Sequence, residues 1–286
     1  METLETWCDS FWTLYGDTLQ EIIRWASETD MMCAFANISS KYGYHKPTIL
    51  DDDDIIVEGK NLRHPMIERL QENSAGYVGN DVYVGKTKSL GNLLYGMNAS
   101  GKSSYMKSIG LTLIMSQVGC WVPCQDMKHK VMTKIFTRIS GNDDYMRGKS
   151  SFALEVEELN HILRESDSTS IVLGDELCRG TEHVSGTALV GAGINTLLHK
   201  NVPFVFATHL HDIPTLSKLQ GVITSGLLNI SHLRVRNEDG VLMYDRKLEA
   251  GSGSSMYGIE VAMALGLDDS TVSVAKDIRD EILGFV

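Results

Sequence analysis

The chain is 286 residues long, 43% hydrophobic, and carries a formal net charge of -11. That supplies core for one large α/β domain with an appendage or for two modest domains, and the acidic balance argues against strong phosphate-backbone binding by this chain alone, since such affinity comes mainly from clustered Lys and Arg, while leaving room for a local basic patch. Five scattered cysteines (Cys8, Cys33, Cys120, Cys124, Cys178) show no metal spacing, "METLETWCDS" lacks a signal-peptide pattern, and no apolar stretch reaches the ~18 residues of a membrane span, so the expectation is a reduced, intracellular protein without a membrane segment.

Leu4, Trp7, Phe11, Leu14, Thr18, Ile22 and Trp25 recur at helical steps and predict an amphipathic helix over residues 3–28. It is either packed on its own domain or the tail of a longer helix whose partners lie elsewhere. A short second helix is expected over Asp30 to Ser39. "KYGYHKPTILDDDD" then breaks the pattern and marks a boundary near residue 45, with the aspartates in a solvated loop. From Ile55 onward strand and helix signals alternate. "SLGNLLYG" reads as a buried strand, 102–117 as a helix, "KIFTRIS" as a strand, and Phe152, Val156, Leu159 and Leu163 as one face of a helix. "SIVLGDE" and "PFVFATH" are apolar strands on either side of a helix carrying Val184, Ala188, Leu189, Ala192 and Leu198. Such alternation predicts a mostly parallel sheet covered by helices. "HLRVRNEDGVLMYDRKLE" predicts a hairpin about Asp239-Gly240, and residues 255–286 a two-helix unit broken at Gly266. The resulting division is a helical lead-in over 1–45, a main α/β unit over 46–250 and a C-terminal helical, helix-turn-helix-like unit over 251–286.

Three apolar strands end in polar clusters: Gly96 to Ser103, Asp175-Glu176, and Thr208-His209. Ligands of an open parallel sheet bind beyond the carboxyl ends of its strands. "GMNASGKSS" has the order G-x-x-x-x-G-K-S, in which glycines let successive N–H groups converge on phosphate while a lysine and a serine reach the outer phosphates and magnesium. The expected phosphate cradle comprises Gly96, Asn98, Ala99, Ser100, Gly101, Lys102, Ser103 and Ser104. Lys102 would neutralise charge in the transition state, Ser103 and Asp175 would share Mg2+, Glu176 would polarise the attacking water, and His209 would orient it or sense the γ-phosphate. A second anion-ready helix start lies at Ser150 or Ser151, which makes sense if it faces the ATP of a partner subunit.

The segments "GMNASGKSSYMKSIGLTLIMSQVGCWVP", "IFTRISGNDDYMRGKSSFALEVEELNHIL", "IVLGDELCRGT" and "FVFATHLHDIPTL" resemble successive motifs of the MutS family of DNA mismatch-repair ATPases, as do "EGKNLRHPMIE" and "GSGSSMYGIEVA". The resemblance covers roughly residues 20–275. It implies a P-loop NTPase fold of the ABC/MutS type and a Mg-dependent ATPase acting as a homodimer. Asn98 would contribute to nucleotide and dimer contacts, Ser150 would reach the opposite subunit's nucleotide, Tyr77 would lie against adenine, and Arg246 would fall where some members place a histidine near the base. Glu176 and His209 match the catalytic glutamate and the switch histidine. It further implies a parent protein that binds mismatched double-stranded DNA through a reader and clamp ahead of residue 1, and a MutL-like downstream partner. The family loop usually reads Gly-Pro-Asn-Met-Gly-Gly-Lys-Ser, so Met97 replaces a proline and Ser100 is expected to accept a conformation usually left to glycine. Cys178 stands where a glycine is usual, in a turn implied to contact the other subunit. The rival readings are an SMC-like cassette ATPase of chromosome maintenance, whose Leu-Ser-Gly-Gly-Gln-like signature is not found, and a nucleotide-gated dimerisation module without turnover.

Overall fold

The computed structural model describes residues 2–51, 54–70, 76–138, 151–238, 241–253 and 258–282. The N-terminal sequence forms one helix of 41 residues, α1 (Glu2–Tyr42), in place of the two expected. No glycine or proline separates the two predicted stretches, and an unbroken helix leaves no orphan backbone groups at Thr29 and Asp30. The apolar stripe faces solvent, with Leu4, Trp7 and Trp25 each more than 60% exposed; Trp7 stacks on Phe11, and Phe11 lies tilted against Tyr15 along the helix. The reading of a helix packed on its own domain is therefore overturned. Toward the C-terminal end of α1, Ser39 is buried.

A small sheet that the sequence pattern did not anticipate follows. It runs in the order β1 (Thr48–Ile49), β5 (Asp126–His129), β2 (Ile55–Leu62), β3 (Asn80–Gly85). β2 is antiparallel to both neighbours, and a one-turn helix, α2 (Ile67–Leu70), lies between β2 and β3 in the chain. In the predicted aspartate loop Asp51 and Asp54 are exposed, and residues 52–53 lie outside the described ones.

The main sheet has the order β10 (Val241–Ala250), β9 (Leu228–Glu238), β4 (Gly91–Tyr95), β8 (Phe204–Ala207), β7 (Ser170–Asp175), β6 (Lys134–Arg138). From β9 to β6 neighbouring strands are parallel, and β10 returns antiparallel to β9. Every residue of β7 and β8 is buried, which is why these strands read as continuous apolar runs. A Cβ on Gly91 would lie 2.2 Å from the Phe204 ring, so glycine is what lets β4 sit beside that aromatic. The expected hairpin is β9–β10, its turn residues lying outside the described ones. Helices α3 (Lys102–Gln117), α4 (Ser151–Glu165), α5 (His183–His199) and α6 (Ser217–Thr224) connect the strands. α3 packs on β7 and β8, and its Met106, Ile109 and Leu113 are fully buried in the shared core. The C-terminal pair, α7 (Gly258–Ala264) and α8 (Asp269–Ile282), breaks at Gly266 with φ 84°, as the pattern predicted. Among the described residues no helix is long and apolar enough to cross a membrane.

The register positions the site. Leu94 and Asp175 both stand opposite Ala207. The carboxyl ends of β4, β7 and β8 therefore finish level, and the residues that follow them, starting at Gly96, Glu176 and Thr208, emerge at one edge.

Candidate active site

The loop after β4 turns through left-handed conformations at Gly96 (φ 149°), Ala99 (φ 64°) and Gly101 (φ 111°). The strained non-glycine position is thus Ala99, and the expectation for Ser100 is corrected. The turn is advanced by one residue, and Ser100, buried and without positive φ, donates its N–H to the Met97 carbonyl at 3.2 Å. A Cβ at positive φ costs about 1 kcal/mol. We expect Ala99→Gly to raise unfolding free energy by roughly 0.5 kcal/mol, the relief being partly offset by the freer unfolded chain. Urea unfolding measures this, and a loss of stability would contradict the assigned strain.

Gly101 caps α3 without a side-chain hydrogen bond, which leaves the helix start open to an anion. Lys102 is buried. Its Nζ donates to the Gly96 carbonyl at 2.6 Å and the Met97 carbonyl at 3.2 Å, holding the loop closed around the ammonium. Burial lowers the Lys102 pKa, opposed by the negative charges of Glu176 and Asp175. Ser100 Oγ is buried with no partner.

Ser103 Oγ donates to Asp175 Oδ2. Asp175 is 4% exposed, and its other oxygen, Oδ1, is buried with no hydrogen-bond partner. A desolvated carboxylate oxygen left unpaired is costly unless something cationic completes it. Two hard oxygen donors at the rim of a phosphate-sized loop suit Mg2+, which keeps several waters and takes phosphate oxygens for its remaining places. Among the described residues no group of three or more His, Cys, Asp or Glu able to hold a metal occurs.

Glu176, one residue on, has φ 51°, and Cys178 has φ 58°. The tight turn throws the Glu176 carboxylate sideways. Its Oε1 accepts from His209 Nε2 at 2.5 Å and its Oε2 from Arg179 Nη1 at 2.7 Å. Because a carboxylate only accepts, Nε2 carries the proton, and the 3.5 Å approach of Lys102 Nζ to the same nitrogen is a contact of two donors. The turn containing Cys178 also packs within its own chain: Gly180 N–H donates to Glu155 Oε2 on α4 at 3.2 Å.

Beside the loop, Tyr77, Asn80, Ser100, Gly101, Ser104 and Arg246 line a shallow cleft. Burial pushes the Tyr77 phenol up to about 12, with the Arg246 guanidinium pulling the other way. Arg246 has φ 56° in a bulge of β10 between Tyr244 and Leu248. Asn80 holds that bulge by donating to the Arg246 carbonyl at 2.8 Å and accepting from Leu248 N–H at 2.9 Å. Asn98 and Ala99 are exposed at the loop tip. The structure thus brings together Tyr77, Gly96, Lys102, Ser103, Ser104, Asp175, Glu176 and His209. Ser150 lies outside the described residues. Sequence reasoning missed Asn80 and Arg179. Neither carries a motif signal, since a lone Asn at the start of a strand and an Arg three residues after a carboxylate are commonplace.

Residues 92–283 match the family described as MutS domain V. The chain is 34% identical to the DNA mismatch repair protein MutS of a Geobacillus species over 94% of its length and 30% of that protein's. The figures for the Listeria monocytogenes protein of the same name are 35%, 94% and 30%. A mutS homolog of Acanthamoeba polyphaga mimivirus is 32% identical over 96% of this chain and 27% of its own length. The chain spans less than a third of the length of these curated relatives.

Proposed function

The chain belongs to the MutS family, and we propose that it is a Mg-dependent, P-loop ATPase part of a mismatch-repair protein. The observation that carries the reading is the meeting of Ser103 with Asp175, whose second oxygen is buried and unpaired, a few residues from Lys102 and from the Glu176–His209 pair. In this reading the N–H groups of the loop and the start of α3 hold the triphosphate, and Tyr77 and Arg246 flank the base. Lys102 exchanges its two backbone carbonyls for phosphate oxygens. Ser103 and Asp175 would hold Mg2+, which when bound supplies charge neutralisation between the phosphates. His209 and Arg179 aim the Glu176 carboxylate. Glu176 takes a proton from water as the water oxygen attacks the γ-phosphorus and the bond to the β-bridging oxygen breaks, giving ADP and phosphate.

Residues 1–45 would be the lead-in from the rest of the protein, 46–250 the ATPase unit and 251–286 a dimerisation unit. The exposed Leu265, Leu267, Val274, Ile278 and Ile282 of the last unit favour pairing. Two copies would pair head to tail, each completing the other's site through Ser150. Mismatched DNA would be bound by other parts of the parent, with nucleotide state setting its grip and a MutL-like protein acting downstream. An SMC-like cassette is not favoured, since the relatives at hand are mismatch-repair proteins. We expect specific ATPase activity to fall at least tenfold on dilution through the dimer dissociation range, because a group contributed in trans to phosphoryl transfer is worth ~10³ or more in rate. Activity that stays flat while sedimentation shows monomers counts against the composite site.

A further inference from the structure

Tyr95 joins the two halves of the site. It is the last residue of β4, fully buried, and directly precedes Gly96. Its hydroxyl donates to the Leu210 carbonyl at 3.1 Å, and its ring lies against the His211 imidazole with centroids 4.8 Å apart. Leu210 and His211 are the two residues that follow His209. The segment is also wound on itself: Leu210 N–H donates to Thr208 Oγ1 at 3.0 Å, and His211 N–H to the His209 carbonyl at 3.0 Å. Those local bonds fix its shape; Thr208 N–H, donating to the Leu94 carbonyl at 3.1 Å, ties its start to β4, and the Tyr95 phenol ties the residues beyond His209 to the same strand. A fully buried tyrosine at the mouth of a ligand site is a costly choice unless its hydroxyl has a task.

We propose that Tyr95 is a positioning residue that clasps Leu210 and His211 and so sets the His209 imidazole against Glu176 and Lys102. The proposal rests on the reading of His209 given above. His209 reaches Glu176 Oε1 at 2.5 Å, and a contact that short tolerates little drift of the backbone that carries it. Tyr95→Phe keeps the ring against His211 and removes only the bond to Leu210. His211→Ala removes the other half of the clasp and leaves the buried phenol intact, so it serves if the first variant folds poorly.

The test is steady-state ATPase kinetics with Mg-ATP on the full 286-residue chain, with each variant made alone and combined with His209→Ala. The expected result is a fall in kcat of about tenfold, the scale of lost orientation, with KM within about twofold of wild type. In the His209→Ala background neither variant should cost anything further, because the clasp acts through that imidazole. Losses that multiply with His209→Ala, or a raised KM with kcat intact, overturn the clasp and leave the ATPase reading standing. Full activity of His209→Ala, or no turnover in the wild type, removes the role of His209 and the clasp with it.

Discussion

We expect Glu176→Gln to lower ATP turnover by about 10³-fold while leaving nucleotide binding within a few-fold of wild type. Glutamine has the same shape and the same Cβ at φ 51°, so the turn gains no new strain. Its amide oxygen still accepts from Arg179 or from His209. What it loses is the capacity to take a proton from water, and general-base catalysis contributes about 10² to 10⁴ in rate. The variant should therefore hold ATP unhydrolysed and accumulate as the paired form. Phosphate release and sizing in Mg-ATP read both consequences from one preparation. A nucleotide-gated dimerisation module without turnover would respond to this substitution in neither assay. Turnover within threefold of wild type would remove Glu176 from the chemistry.

Much of this site was legible because its parts sit at strand ends. A run such as "SIVLGDE" can be fully buried only in a sheet covered on both faces, and its acids then have to emerge at the carboxyl edge. The same argument placed Gly96 and His209 beside them, and the register between β4, β7 and β8 makes the three ends level. The sequence did not disclose which loop residue takes the strained conformation. The alignment with the usual loop pointed to Ser100, whereas the backbone turns at Ala99. A conformation belongs to the closed loop, and here Lys102 closes it through the carbonyls of Gly96 and Met97. The small sheet was equally hidden. β5, "DMKH", is short and polar at three of its four positions, and it becomes a strand only because β2 offers it an edge. The bulge at Arg246 depends on Asn80, which lies 166 residues away in the chain, and no local pattern reports such a contact. The unbroken α1 shows the converse limit. Helical periodicity was read correctly along it, but periodicity does not say whether an apolar stripe has anything to face, and most of this one is exposed.

Asp175→Asn separates what the residue does for the site from what it does for the fold. In the ligand-free chain the carboxylate is nearly inaccessible, has one oxygen satisfied by Ser103 and leaves the other unpaired. Asparagine keeps an oxygen for Ser103 and removes a buried negative charge, at the expense of a charge near Lys102. These opposing changes should leave the stability of the ligand-free chain within about 1 kcal/mol of wild type. Stabilisation by Mg-ATP should behave differently. Ligand at 100 times its Kd stabilises the wild type by about 2.7 kcal/mol; if loss of a metal oxygen weakens binding about 100-fold, the same concentration yields about 0.4 kcal/mol. Thermal unfolding with and without Mg-ATP measures the difference, and ATP in excess EDTA is the control, since without Mg2+ the two chains should respond alike. A variant that Mg-ATP stabilises as fully as wild type would mean that the unpaired oxygen has no ion to meet. A variant that unfolds without ligand would mean that the carboxylate serves the fold, and the metal assignment would then rest on Ser103 alone, which is too little for a divalent cation.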